Sequence, residues 1–222
     1  MKIFTSLLII LSILCCFVKS QKFINFIPYQ DYECLTPSFG IGYSISTSQP
    51  CIYNLGNGPS ATPMSYTATW ESFSVNETYL YLKTYNYTDM ACQSALQQYS
   101  MLNNSCTFSS FLPLPFNGTV VSVTFQYSLV SLTDEPVYPP NSLLFSQYAE
   151  PNFNVCDNSD LMFTTTISNG LKVVNGDYST SYICNNNTAY LDNCINRTNC
   201  KLSNVTLSCN QAGNANNQVN YC

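Results

Sequence analysis

The chain of 222 residues contains no histidine, and only 9% of it is charged. Without histidine there is no Ser-His-Asp triad, no Cys-His dyad, no His-ligated zinc and no imidazole switch near neutral pH. Cations are scarce as well. Seven Lys and Arg stand against twelve Asp and Glu, a formal net charge of −5. Neutralising a phosphate backbone needs clustered cations, so no nucleic-acid partner is expected. Glycine is limited to 8 residues, and neither G-x-G-x-x-G nor a Walker pattern occurs. That excludes the Gly-rich phosphate cradles, and Gly40-Ile41-Gly42 reads as a turn.

What is abundant is cysteine, with 12 residues. The first two fall in an N-terminal stretch with the grammar of a secretory signal. Lys2 supplies a positive start, Ile3 to Val18 is apolar apart from Thr5, Ser6 and Ser12, and Val18-Lys19-Ser20 suits a cut before Gln21. Residues 1–20 are therefore expected to leave as a signal peptide, taking Cys15 and Cys16 with them. No second apolar run is long enough to span a bilayer, so no membrane span is expected after cleavage. The polar C-terminus lacks a lipid-anchor tail. The remaining chain keeps five cations against twelve carboxylates, a net charge near −7.

Ten cysteines then remain: Cys34, Cys51, Cys92, Cys106, Cys156, Cys184, Cys194, Cys200, Cys209 and Cys222. An even number in a secreted chain reads as a disulfide framework, although spacing leaves the connectivity open. Zinc or redox chemistry would need C-x-x-C pairs, and there are none; the nearest of the ten to one another are Cys194 and Cys200. Asp157-Asn158-Ser159-Asp160 gathers oxygen atoms but lacks the Gly and bidentate Glu of a calcium loop. No metal or cofactor is expected. Seven N-x-S/T sequons, at Asn76, Asn86, Asn103, Asn117, Asn186, Asn196 and Asn204, predict a glycoprotein.

The rest of the chain is rich in Tyr, Thr, Ser and Asn, a composition that favours strands. The predicted fold is mostly β: a disulfide-stapled β-sandwich or two small β modules. Gly118–Leu132 alternates as a strand with Val121, Val123, Phe125, Tyr127 and Leu129 on one face. Ser65–Val75 and Thr78–Thr88 alternate too, the latter with Tyr79, Tyr81, Tyr85 and Tyr87 together. Leu161–Ile167, Ser168-Asn169-Gly170 and Leu171–Val174 read as a hairpin, and Asn175-Gly176 as the next turn. One short helix is expected between Asp89 and Leu102. The Pro-rich stretch 134–141 divides the chain into a first module, 21–131, and a Cys-rich second one, 141–222; a single domain over 21–222 is the equal alternative.

Three function classes stay open. A binding or structural role at the cell surface or in extracellular matrix would use the Tyr79/Tyr81/Tyr85/Tyr87 face, with an extracellular protein or carbohydrate as partner. A carboxylate-dependent glycoside hydrolase would need two acids, with Asp31, Glu33 and Glu71 beside Trp70 as candidates. An inhibitor or intercellular signalling factor also fits the staples, without a recognisable reactive loop. No catalytic residue is assigned.

The opening Tyr-Gln-Asp-Tyr-Glu-Cys, the later Tyr-Ile-Cys-Asn-Asn-Asn and Tyr-Leu-Asp-Asn-Cys, and a signal ending Val-Lys-Ser-Gln give the chain its style. It resembles the small secreted Cys- and Asn-rich proteins of dictyostelid amoebae. The resemblance implies a secreted or cell-surface glycoprotein and carries no functional residues with it.

Overall fold

Strand-forming residues dominate from Phe23 onward, and the chain answers with strands. The computed structural model describes residues 21–48, 51–53, 70–76, 78–86, 88–109, 119–120, 126–148, 156, 160–186, 188–196, 198–205, 210–212 and 216–222. The predicted signal segment, Asn117, 121–125, 157–159 and Cys209 lie outside these. Among the described residues there are seventeen strands and no α-helix.

An eight-stranded antiparallel sheet forms the centre. It contains β1 (Phe23–Tyr29), β2 (Ile41–Ser46), β7 (Ser105–Phe108), β9 (Tyr127–Thr133), β10 (Ser142–Tyr148), β11 (Leu161–Ser168), β16 (Asn210–Ala212) and β17 (Asn216–Tyr221), in the order β16-β17-β10-β11-β2-β1-β9-β7. Four of its strands precede the Pro-rich stretch and four follow it. A four-stranded sheet of β3 (Ile52–Tyr53), β4 (Trp70–Val75), β5 (Tyr79–Tyr85) and β6 (Ala95–Leu102) supplies the second layer. The third sheet runs β15-β14-β13-β12-β8, from β15 (Asn199–Asn204), β14 (Thr188–Ile195), β13 (Tyr178–Asn185) and β12 (Lys172–Asn175) to β8 (Thr119–Val120).

The main core lies where the four-stranded sheet meets the central one. Ile24, Phe26, Ile41, Tyr43 and Ile45 from β1 and β2 pack with Ile52, Phe73, Leu80, Leu82 and Met101. The opposite face of the central sheet is polar yet equally buried. Register sets Ser146, Thr164, Ser44, Asn25 and Ser131 in one row across five strands. The Pro-rich stretch covers that row. Between β9 and β10 the chain must pass over β1, β2 and β11, and prolines that donate nothing to a ladder suit such a crossing. Val137 N donates to Asn25 Oδ1 at 2.9 Å, and Tyr138 OH shares a hydrogen bond with Thr164 Oγ1 at 3.2 Å.

Four local expectations change. The helix expected between Asp89 and Leu102 is a turn followed by strand β6, whose pairing with β5 overrides the helix preference of Ala95, Leu96 and Gln97. The hairpin expected at 161–174 is a crossover: β11 pairs with β10 and β2, whereas β12 pairs with β13 and β8. Within Gly118–Leu132, Thr119–Val120 and Tyr127–Thr133 belong to different sheets, and Val130 enters the core while Tyr127 and Leu129 are only half-buried. Gly42 sits inside β2 rather than in a turn; a Cβ there would lie 2.6 Å from Phe26 O.

Candidate functional site

The sequence offered acids, tyrosines and cysteines, and the structure sorts them. Four disulfides join Cys34 to Cys106, Cys51 to Cys92, Cys184 to Cys222 and Cys194 to Cys200. Cys156 is also disulfide-bonded. Asp192 lies close to the Cys194–Cys200 sulfurs, but sulfurs joined to each other are not thiolate ligands.

Two of these cysteines anchor loops built to the same plan. The segments Tyr29-Gln-Asp31-Tyr-Glu-Cys34-Leu-Thr36 and Tyr87-Thr-Asp89-Met-Ala-Cys92-Gln-Ser94 share Y-x-D-x-x-C-x-[ST]. In each, the Cys amide donates to the Asp carbonyl, at 3.3 Å for Cys34 and 3.1 Å for Cys92. Both cysteines adopt positive φ, 55° and 50°. The Asp carboxylate then collects the amides that follow. Asp31 accepts from Glu33 N, Leu35 N, Thr36 N and Thr36 Oγ1. Asp89 accepts from Gln93 N and Ser94 N. The Thr36 hydroxyl, then the Leu35 and Thr36 amides, hold the Asp31 carboxyl down at about 2. The Ser94 and Gln93 amides lower that of Asp89. These acids are loop anchors, ionised and fully engaged. The motif is legible in the sequence once Asp31 is aligned with Asp89.

The loops present large apolar side chains to solvent. Tyr32 is 70% exposed, Leu35 78% and Met90 71%. A disulfide, a carboxylate and a left-handed turn hold each loop, so the backbone carrying these side chains loses little freedom on contact with a partner.

Glu71 is the other acid singled out by sequence. It alternates with Ser72 in β4 and points with Phe73 into the core, 2% exposed. Its Oε2 finds no hydrogen-bond partner among the described residues. Burial pushes its carboxyl up to about 8. Tyr43, on the facing sheet, is pushed further up, first by burial and then by the Glu71 charge. Burial is the cause of the Glu71 shift.

The predicted tyrosine face divides. Tyr79 is exposed, Tyr81 is half-buried, and Tyr85 is 4% exposed with its hydroxyl bonded to Ser72 Oγ at 2.8 Å. A bulge between Thr84 and Tyr85 shifts the alternation and turns Tyr85 inward. Tyr87 lies outside the described residues. The sequon asparagines concentrate at strand ends. Asn76, Asn86, Asn186, Asn196 and Asn204 are exposed and Asn103 is half-buried. Among the described residues, no helix is long and apolar enough to cross a membrane.

Residues 1–221 match the family described as Counting factor-associated protein A/B/C. The chain belongs to that family. The match bears out the dictyostelid resemblance, since this is a secreted dictyostelid family. Neither a curated protein nor a solved structure matches the chain.

Proposed function

We propose that this counting factor-associated family member is a secreted, N-glycosylated protein that works by binding. It joins an extracellular protein assembly through the apolar tips of its two Asp-Cys loops. The observation that carries the reading is the exposure of Tyr32, Leu35 and Met90 on rigid, stapled loops. Exposed apolar side chains on a backbone held in one conformation suit a contact surface. The family description speaks of association with a counting factor; applied to this chain, it favours a protein partner outside the cell. Residues 1–20 act as the signal peptide. The sequons at Asn76, Asn86, Asn103, Asn117, Asn186, Asn196 and Asn204 carry sugar, which keeps a sparsely charged surface soluble.

The hydrolase reading has less support. Asp31 is held ionised by the Thr36 hydroxyl and then by backbone amides, Asp89 by backbone amides, and Glu71 is sealed in the core. The test is to express the tagged chain in dictyostelid cells and examine the medium. The chain should be found there, begin at Gln21, lose mass with N-glycosidase, and travel in a complex larger than itself. Retention inside the cell, or release as a free monomer, would overturn the proposal.

A further inference from the structure

A groove of about 480 Å³ opens at the end of the third sheet. Register explains its lining. Tyr178 pairs with Ile195, which pairs with Asn199; Thr180 pairs with Asn193, which pairs with Lys201. Directly paired residues share a face, so these six stand in two rows of three on one face of β13, β14 and β15. The intervening row, Ser179-Cys194-Cys200, points to the other face, where the Cys194–Cys200 disulfide ties β14 to β15.

The groove ends in an uncovered apolar surface. One row further in, Tyr182 and Leu191 are half-buried, and Tyr182 packs edge-on against Phe145 of the core margin. At the outer end Tyr178 is 62% exposed and Ile195 46%. The turn joining β14 to β15 places Asn196 at this rim. Asn196 has φ 53°, and its amide donates to Asp177 O at 2.8 Å, one residue before Tyr178. Asn196-Arg197-Thr198 is a sequon.

We infer that the groove seats the first sugars of an N-glycan carried by Asn196. A pyranose has an apolar face of C–H bonds and a rim of polar groups. Tyr178 and Ile195 match the face, while Asn193, Asn199 and Lys201 supply donors and acceptors for the hydroxyl and acetamido groups. The volume is of the order that holds a ligand of one or two rings. Attachment decides the occupant. A tethered sugar meets the groove at an effective concentration around the millimolar range, so weak stacking suffices to hold it. The inference rests on the proposed glycoprotein reading and assigns one of its sugars a structural place.

The test is a double-mutant cycle on the secreted protein. Tyr178→Ala removes the platform, and Thr198→Ala removes only this sequon. Glycopeptide mapping first reads occupancy at Asn196. With the sugar present, Tyr178→Ala should lower the Tm by about 2–4 °C, the shift of one lost stacking contact in a chain of this length. In the Thr198→Ala background the same substitution should change the Tm by less than about 1 °C. Tyr178→Phe, which keeps the ring, should retain the coupling. An occupied Asn196 with equal Tyr178→Ala effects in both backgrounds overturns the seat and leaves the glycoprotein reading intact. An unoccupied Asn196 overturns both at this position.

Discussion

At the scale of single residues, three buried groups show how this fold manages polarity. Asn25 is fully buried and fully used: its carbonyl accepts from Ser44 Oγ at 2.7 Å and Val137 N at 2.9 Å, and its amide donates to Thr133 Oγ1 at 2.7 Å. Asn25→Leu would take the acceptor from the Ser44 hydroxyl and the Val137 amide, while Thr133 Oγ1 keeps its bond to Glu135 O, and should cost about 2–4 kcal/mol in chemical denaturation. Gly42 leaves room for the neighbouring backbone, so Gly42→Ala should cost about 1–3 kcal/mol by overpacking. Glu71 is the reverse case, a carboxyl with one oxygen unpartnered. Its value rises from an ordinary 4.5 to about 8 on folding. The native state therefore holds a proton that the unfolded chain releases. The contribution of Glu71 to stability should be fully present below about pH 4.5, fall as pH rises toward 8 and level off above it. The loss is of the order of a few kcal/mol. Urea midpoints across this window should slope downward for the wild type and be flat for Glu71→Gln. Equal slopes would place the titration elsewhere.

At the scale of elements, the disulfides differ in what they constrain. Cys34–Cys106 closes 72 residues and joins the first stapled loop to β7, whereas Cys194–Cys200 closes 6 within one hairpin. On loop-closure grounds, replacing the first pair by Ser should cost about 4 kcal/mol and the second about 2. Similar losses would show that the long bridge constrains a chain already compact when unfolded. The same contrast between local and distant partners explains what could be read in advance. Alternation in Trp70–Val75 and the Asn175-Gly176 turn are set by neighbours in sequence, and both were legible. The segment 161–174 was not. Asn169-Gly170 has the chemistry of a hairpin turn, but Leu161–Ser168 and Lys172–Asn175 find better partners in different sheets. Asp89 opens the segment expected to be helical, and a carboxylate before a polar segment can either cap a helix or close a loop. Here it gathers the amides of Gln93 and Ser94 to close a loop, and β5 takes the residues that follow. The repeated Asp-Cys motif was visible as letters, but its meaning depended on shared hydrogen bonds.

At the scale of the whole molecule, the central sheet draws strands from both sides of the Pro-rich stretch, which straps its polar face. We expect one cooperative unfolding transition. A fragment ending near residue 131 would leave β2 without its partner β11 and should not fold alone. On the proposed reading, sugar at the strand ends and apolar side chains on two stapled loops give the surface a division of labour: one part keeps the chain soluble while the other meets a partner. The most direct test compares the wild type with a triple variant, Tyr32→Ser, Leu35→Ser and Met90→Ser, by size-exclusion chromatography of freshly conditioned medium. All three sites are exposed, so the variant should keep the wild-type Tm. The wild type should elute in a larger assembly and the variant as a free monomer. Elution of both as monomers, or of both in the same assembly, would contradict binding through these loops.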